Sequence, residues 1–222
     1  MHLQVWVNRH SAKLNEHLLR ALGSDFDGAT IRWVSPLEKK NFREYRDGAF
    51  LQAIELSEHR AALQKFWPKG GPVWDGLAIV SFGKDRADAI LLIEAKSYPE
   101  EVRGSGCQAT PDSDSRRQIE SSLSQAAEWT GVARKASWIG ALYQSANRIA
   151  HTLFLRKTLG CEAYMMNVCF VDDPRRSTSE AAWVRANEAF KDELGLSHVD
   201  TPWLMTILVP AASRADLLAS AT

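Results

Sequence analysis

The chain has 222 residues, 45% hydrophobic and 9% aromatic, which suffices for one full core and is short for two, so a single domain is expected, with its core at about residues 41–210. Basic and acidic residues number 27 each, and this zero balance excludes a globally basic, nucleic-acid-coating protein; any phosphate contact must come from a local patch. Cys107, Cys161 and Cys169 show no Cys-x-x-Cys spacing, which excludes a disulfide framework and a structural zinc site. No apolar run reaches the length of a membrane span, and Met1-His2-Leu3-Gln4 lacks an export signal, so a reducing, cytoplasmic setting without a membrane partner is expected.

In chain order, residues 3–7 alternate as a short strand, Ser11 caps a helix over residues 12–22 that closes at Gly23, and residues 29–34 form a second strand ended by Pro36. From Asn41 the apolar positions Phe42, Tyr45, Ala49, Ala53 and Leu56 take helical spacing, and Ser57 starts a further helix running to Trp67, stopped by the turn through Pro68, Gly70, Gly71 and Pro72. Residues 73–82 and 89–98 read as two strands of an antiparallel hairpin joined by Gly83-Lys84-Asp85-Arg86. Residues 103–115, rich in Gly, Ser, Asp and Pro, read as a mobile loop suited to a lid or substrate contact. Helices follow over residues 116–130 and 137–158, then a buried strand at 161–171 and another at 202–209. The order implies a mixed α/β sheet flanked by helices.

The chemistry concentrates in Val73-Trp74-Asp75-Gly76-Leu77 and Leu91-Leu92-Ile93-Glu94-Ala95-Lys96. With side chains alternating along a strand, Leu92, Glu94 and Lys96 share one face and Ile93 and Ala95 the other. A carboxylate and an ammonium at the end of an apolar strand are costly unless they pair or hold a metal. An Asp on one strand and Glu-x-Lys on the next resemble the signature of the PD-(D/E)XK nuclease superfamily, to which restriction endonucleases, Holliday junction resolvases and RecB-type nucleases belong. The runs Trp-Pro-x-Gly-Gly-Pro-x-Trp-Asp-Gly-Leu, Leu-Leu-Ile-Glu-Ala-Lys-Ser and Tyr-Gln-x-x-Asn-Arg are also similar to bacterial members. Glu38-Lys39-Lys40 matches Glu-x-Lys as well, outside any strand.

The resemblance implies a restriction endonuclease-like α/β fold and hydrolysis of phosphodiesters in DNA, with RNA open as substrate. Magnesium (Mg2+, with Mn2+ as substitute) would be held by Asp75, Glu94 and the Ala95 carbonyl, and Lys96 would orient or deprotonate the attacking water. A Glu on the preceding helix often completes such a shell; Glu44 and Glu55 both qualify, and Glu44 is preferred as lying farther upstream. A Gln after the Glu-x-Lys strand is implied near the scissile phosphate, with Gln118 preferred and Gln125 in reserve. Residues 102–157 carry eight basic and four acidic residues; Arg116 and Arg117 there, and Gln144 with Arg148 one helical turn apart, are the candidates for substrate contact. The latter pair reads as well, and by preference, as a buried polar network. The alternative to a nuclease is a catalytically silent module of the same fold that binds nucleic acid or protein, its charges surviving as a structural ion pair. A neutral chain also suggests a homodimer or partner to complete a positive groove. The six histidines lack metal spacing, and the eight tryptophans are spread as core residues.

Overall fold

A computed structural model describes residues 1–83 and 86–219, and in it one five-stranded mixed sheet is flanked by helices on both faces. The strands are β1 (Thr30–Ser35), β2 (Gly76–Ser81), β3 (Ala89–Lys96), β4 (Ala163–Val171) and β5 (Leu204–Pro210), in that spatial order. β1, β2 and β3 are antiparallel neighbours; β3, β4 and β5 run parallel. The change of direction follows from the connections. A short hairpin link joins β2 to β3, of which Lys84 and Asp85 lie outside the described residues. The parallel pairs use long crossovers that carry helices.

The helices are α1 (His2–Arg9), α2 (Ser11–Leu22), α3 (Asp47–Ala53), α4 (Arg60–Phe66), α5 (Asp114–Thr130), α6 (Tyr143–Leu153), α7 (Glu180–Leu194) and α8 (Arg214–Ala219). β3 is apolar on both faces because both are covered. Ile90 and Leu92 join a core with Phe50, Phe66, Leu123, Ile149 and Leu194 of α3 to α7, while Leu91 and Ile93 join Leu3, Trp6, Leu14 and Leu18 of α1 and α2. At about 25 cal/mol per Å2 of apolar surface removed from water, such fully covered strands dominate the stability of the sheet. α5 and α7 begin on Ser113 and Ser179, whose hydroxyls accept from the amides of Arg116 and Ala182, and both end on a left-handed glycine, Gly131 and Gly195.

Four expectations are corrected. Residues 3–7 are helical: Trp6 is buried together with Leu3, Val5 and Val7, which no two-residue alternation allows, and its indole donates to the Pro210 carbonyl (2.9 Å). Helix does not begin at Asn41, because Asn41 and Phe42 form a turn with positive φ (57° and 53°) and Tyr45 then bridges to Trp74, so α3 starts only at Asp47. The helix expected over residues 137–158 is broken into a 3-10 turn at Ala136–Trp138, α6, and a π turn at Phe154–Thr158. Ser137 donates its hydroxyl to the Glu193 carbonyl (2.8 Å) rather than capping, and the π turn buries the consecutive residues Phe154 and Leu155. The segment read as mobile is pinned: the amides of Gly104 and Cys107 donate to the carbonyls of Ala141 and Ile139 (2.9 Å each).

Candidate active site

The site is built where β2 and β3 separate. Gly76 pairs with Ile93, and a Cβ at Gly76 would stand 3.1 Å from Ile93 Cβ, so the strands approach this closely only because the residue is glycine. One residue earlier the chain turns away, and the Trp74 amide donates to the Tyr45 carbonyl (3.2 Å). The Ala95 amide therefore donates to a side chain, Asp75 Oδ2, at 2.8 Å. Asp75→Ala leaves that partly buried amide unpaired and is expected to cost about 1–3 kcal/mol, whereas Asp75→Asn keeps an acceptor oxygen and costs less; urea unfolding of the two variants measures the difference.

Glu94 and Lys96 project from the same face of β3. Glu94 is 4% exposed, with Oε1 2.6 Å from Lys96 Nζ and Oε2 against the Arg148 guanidinium of α6. Arg148 is itself fixed: it donates to the carbonyls of Gln144 (3.0 Å) and Val73 (3.1 Å), and its guanidinium carbon lies 5.9 Å from the Trp74 ring centre. Its contact with Glu94 is an ion pair without hydrogen-bond geometry, so Glu94 Oε2 has no hydrogen-bond partner. Burial pushes the Glu94 carboxyl above its ordinary value; Arg148 and Lys96 pull against that rise and the nearby Asp75 charge adds to it.

On the other side of β3, a pocket of about 170 Å3 opens between Glu44, Asp75, Ala95, Ser97, Glu101 and His2. Glu44 lies on the extended segment before α3 and not on a helix, and withdrawal from solvent beside Asp75 raises its carboxyl above the usual range. Glu55, the other acid considered, pairs with Arg32 (2.6 Å) outside this pocket. Glu101 was not apparent from the sequence. It follows β3 in the 3-10 turn Pro99–Val102 and accepts from the Ser97 amide (2.8 Å), and the cue was a Ser-x-Pro-Glu-Glu turn directly after the Glu-x-Lys strand. Among the described residues no three His, Cys, Asp or Glu side chains stand close enough together to hold a metal as placed. Asp75 reaches into the plane of the sheet and Glu94 toward α6, with Arg148 and Lys96 on Glu94.

The remaining predicted contacts lie elsewhere. Gln118 donates to the carbonyls of Gln64 (2.8 Å) and Lys65 (3.1 Å) and so closes the end of α4, not the site. Arg116 pairs with Glu120 (2.6 Å), and Arg117 pairs with Asp114 on the same helix (2.5 Å). Gln144 lines a separate cleft of about 620 Å3 with Trp67, Tyr143 and residues of the pinned loop. Arg148, of the four, is the one the structure joins to Glu94.

No family model, no curated protein and no solved structure matches this chain. No helix among the described residues is long and apolar enough to cross a membrane.

Proposed function

We propose that the chain is a metal-dependent nuclease with a restriction endonuclease-like fold, hydrolysing phosphodiesters in DNA, RNA being the other substrate that its chemistry admits. The observation that carries this reading is the Asp75 carboxylate seated on the Ala95 amide, one strand from a buried Glu94 that shares its face with Lys96. The donor set suits a hard cation. Asp75 keeps one oxygen beyond its bond to Ala95, Glu94 Oε2 is met by the Arg148 guanidinium and by no hydrogen-bond donor, and the Ala95 carbonyl and Glu44 add further oxygens. Asp75, Glu94 and Ala95 would hold magnesium, which supplies Lewis-acid stabilisation of the phosphorus charge and eases ionisation of the attacking water. Lys96 does the chain's own work: its ammonium, one pleat beyond Glu94, donates to a water or a phosphate oxygen and opposes the negative charge that builds there. The 170 Å3 pocket, on the opposite side of β3 from Lys96, leaves Glu44 and Asp75 open to solvent.

A second reading is a silent module, and Arg148 favours it, because a guanidinium already neutralises the Glu94 oxygen a metal would need. Cleavage of labelled single- and double-stranded DNA separates the two. The nuclease reading expects products with magnesium or manganese, none with EDTA, and loss to the metal-free background in Asp75→Asn. Intact substrate under every metal condition supports the silent module.

A further inference from the structure

Beside the acids runs a basic groove. It is a depression of about 530 Å3 between β1, the 3-10 turn Glu38–Lys40 and α3, lined by Arg32, Lys39, Lys40 and Arg43, with one acid, Glu55, and the rings of Trp33 and Tyr45. Arg32 is engaged with Glu55. Lys39, Lys40 and Arg43 are exposed and, among the described residues, pair with no carboxylate; Arg43 lies over the Tyr45 ring at 5.4 Å. Acids elsewhere on the surface pair with basic residues: Glu193 holds Arg103, Glu100 holds Arg176, and Asp114 holds Arg117. Single exposed cations occur elsewhere, Lys65 and Arg185 among them; this groove sets three together on a chain with no net charge.

Their loop is held in shape. The amides of Asn41, Phe42 and Arg43 donate to the carbonyls of Glu38, Leu37 and Lys40, closing two successive left-handed residues. Asn8 of α1 clamps the loop from behind, donating to the Pro36 carbonyl (2.8 Å) and accepting from the Glu38 amide (2.9 Å). The segment that follows is extended, so its side chains alternate: Arg43 and Tyr45 face the groove, and Glu44 between them faces the pocket with Asp75. One three-residue stretch thus forms the wall between a cationic groove and the acidic pocket.

We propose that this groove binds the phosphodiester backbone of a nucleic acid, through Lys39, Lys40 and Arg43, and delivers a phosphate over the Arg43-Glu44-Tyr45 wall to Asp75. Preformed cations take backbone phosphates without selecting a base sequence. The Glu38-Lys39-Lys40 tripeptide, a false match to the catalytic motif, is then part of the substrate track, and the basic helix residues Arg116 and Arg117 are not. The proposal rests on the nuclease reading for the destination of the phosphate and stands on the groove alone for binding.

The test is fluorescence anisotropy of short labelled DNA, single-stranded and duplex, in EDTA over a series of salt concentrations. It compares the full chain, the variant Lys39→Ala/Lys40→Ala/Arg43→Ala, and a control, Lys65→Ala/Arg185→Ala, whose exposed cations lie outside the groove. The groove variant is expected to bind at least about tenfold more weakly at moderate salt, and its slope of log affinity against log salt to fall by about two to three, with the control unchanged. Equal affinity and slope in the groove variant, with the parent chain binding well, overturns the groove and leaves the nuclease reading standing. Groove-dependent binding without metal-dependent cleavage by the parent chain supports the groove and removes the nuclease. Absence of binding by the parent chain overturns the groove, and metal-dependent cleavage by the parent chain decides the nuclease reading separately. The triple change lies wholly at exposed positions, and matching thermal melting curves confirm that the variant is folded.

Discussion

Arg148→Met is expected to destabilise the protein by about 3–5 kcal/mol, the cost of leaving Glu94 buried with half of its counter-charge gone. Two further losses add to it: the carbonyls of Gln144 and Val73 lose their donors. Lysine is no substitute, since an ammonium cannot span Glu94 and two carbonyls as a planar fork does, so Arg148→Lys should recover only part of the loss. The double variant Glu94→Leu/Arg148→Met removes both of these charges and is expected to regain part of the stability, because a buried ion pair replaced by apolar groups of similar size is often neutral while the Lys96 ammonium, its side chain 15% exposed, is left without its carboxylate. Urea unfolding of the parent, the single variants Glu94→Leu and Arg148→Met, and the double variant closes the cycle. A loss under about 1 kcal/mol for Arg148→Met would mean that Glu94 is adequately solvated without it, contrary to its burial.

Acid should destabilise the fold through His151, by about 3 kcal/mol between pH 6.5 and pH 4. The ring is 2% exposed, packed against Trp67 and Phe66, with Nδ1 2.7 Å from the Asn147 carbonyl. That contact requires a proton on Nδ1 and leaves Nε2 bare, toward Gly71. Burial pushes the pKa down to about 4; the Asn147 carbonyl and the Asp47 charge oppose the fall and Arg148 adds to it. Because the folded value lies below the unfolded one near 6.5, the unfolded chain takes up the proton first. The stabilisation is therefore complete above pH 6.5, declines as pH falls, and is gone once pH passes below the folded value. Subtracting the pH profile of His151→Leu from that of the parent chain isolates this contribution from the carboxylates. A flat difference between pH 6.5 and 4 would contradict it.

What the sequence makes legible is whatever depends on near neighbours. Apolar runs bounded by Gly and Pro place β2 to β5 because a strand covered on both faces needs little more than continuous hydrophobicity. Period-two alternation alone puts Glu94 and Lys96 on one face. Segment 41–56 misleads because its apolar residues serve two structures, Tyr45 bridging to Trp74 and Phe50 filling the core, so helical spacing arises without a helix until Asp47. Leu3 to Val7 misleads in the other direction, since a helix pressed against a sheet and a chain end buries more than one face. The ion pair of Arg148 with Glu94 joins residues 54 positions apart and depends on how α6 docks, which no local pattern encodes. Gln118 is an instance of the same limit: its amide meets the last carbonyls of α4, a contact set by helix packing. The basic groove is hidden for a further reason. Its lining comes from β1, a 3-10 turn, an irregular loop and α3, and only the folded chain closes Arg32, Trp33 and Gln52 around Lys39, Lys40 and Arg43.

Crystals grown with manganese test the central claim most directly, through the anomalous signal of the ion. The account predicts one peak coordinated by Asp75 and Glu94, with the Arg148 guanidinium displaced from Glu94 and Lys96 still beside it. Well-ordered crystals at saturating manganese with no peak at these two acids, and Arg148 still seated on Glu94, would contradict it.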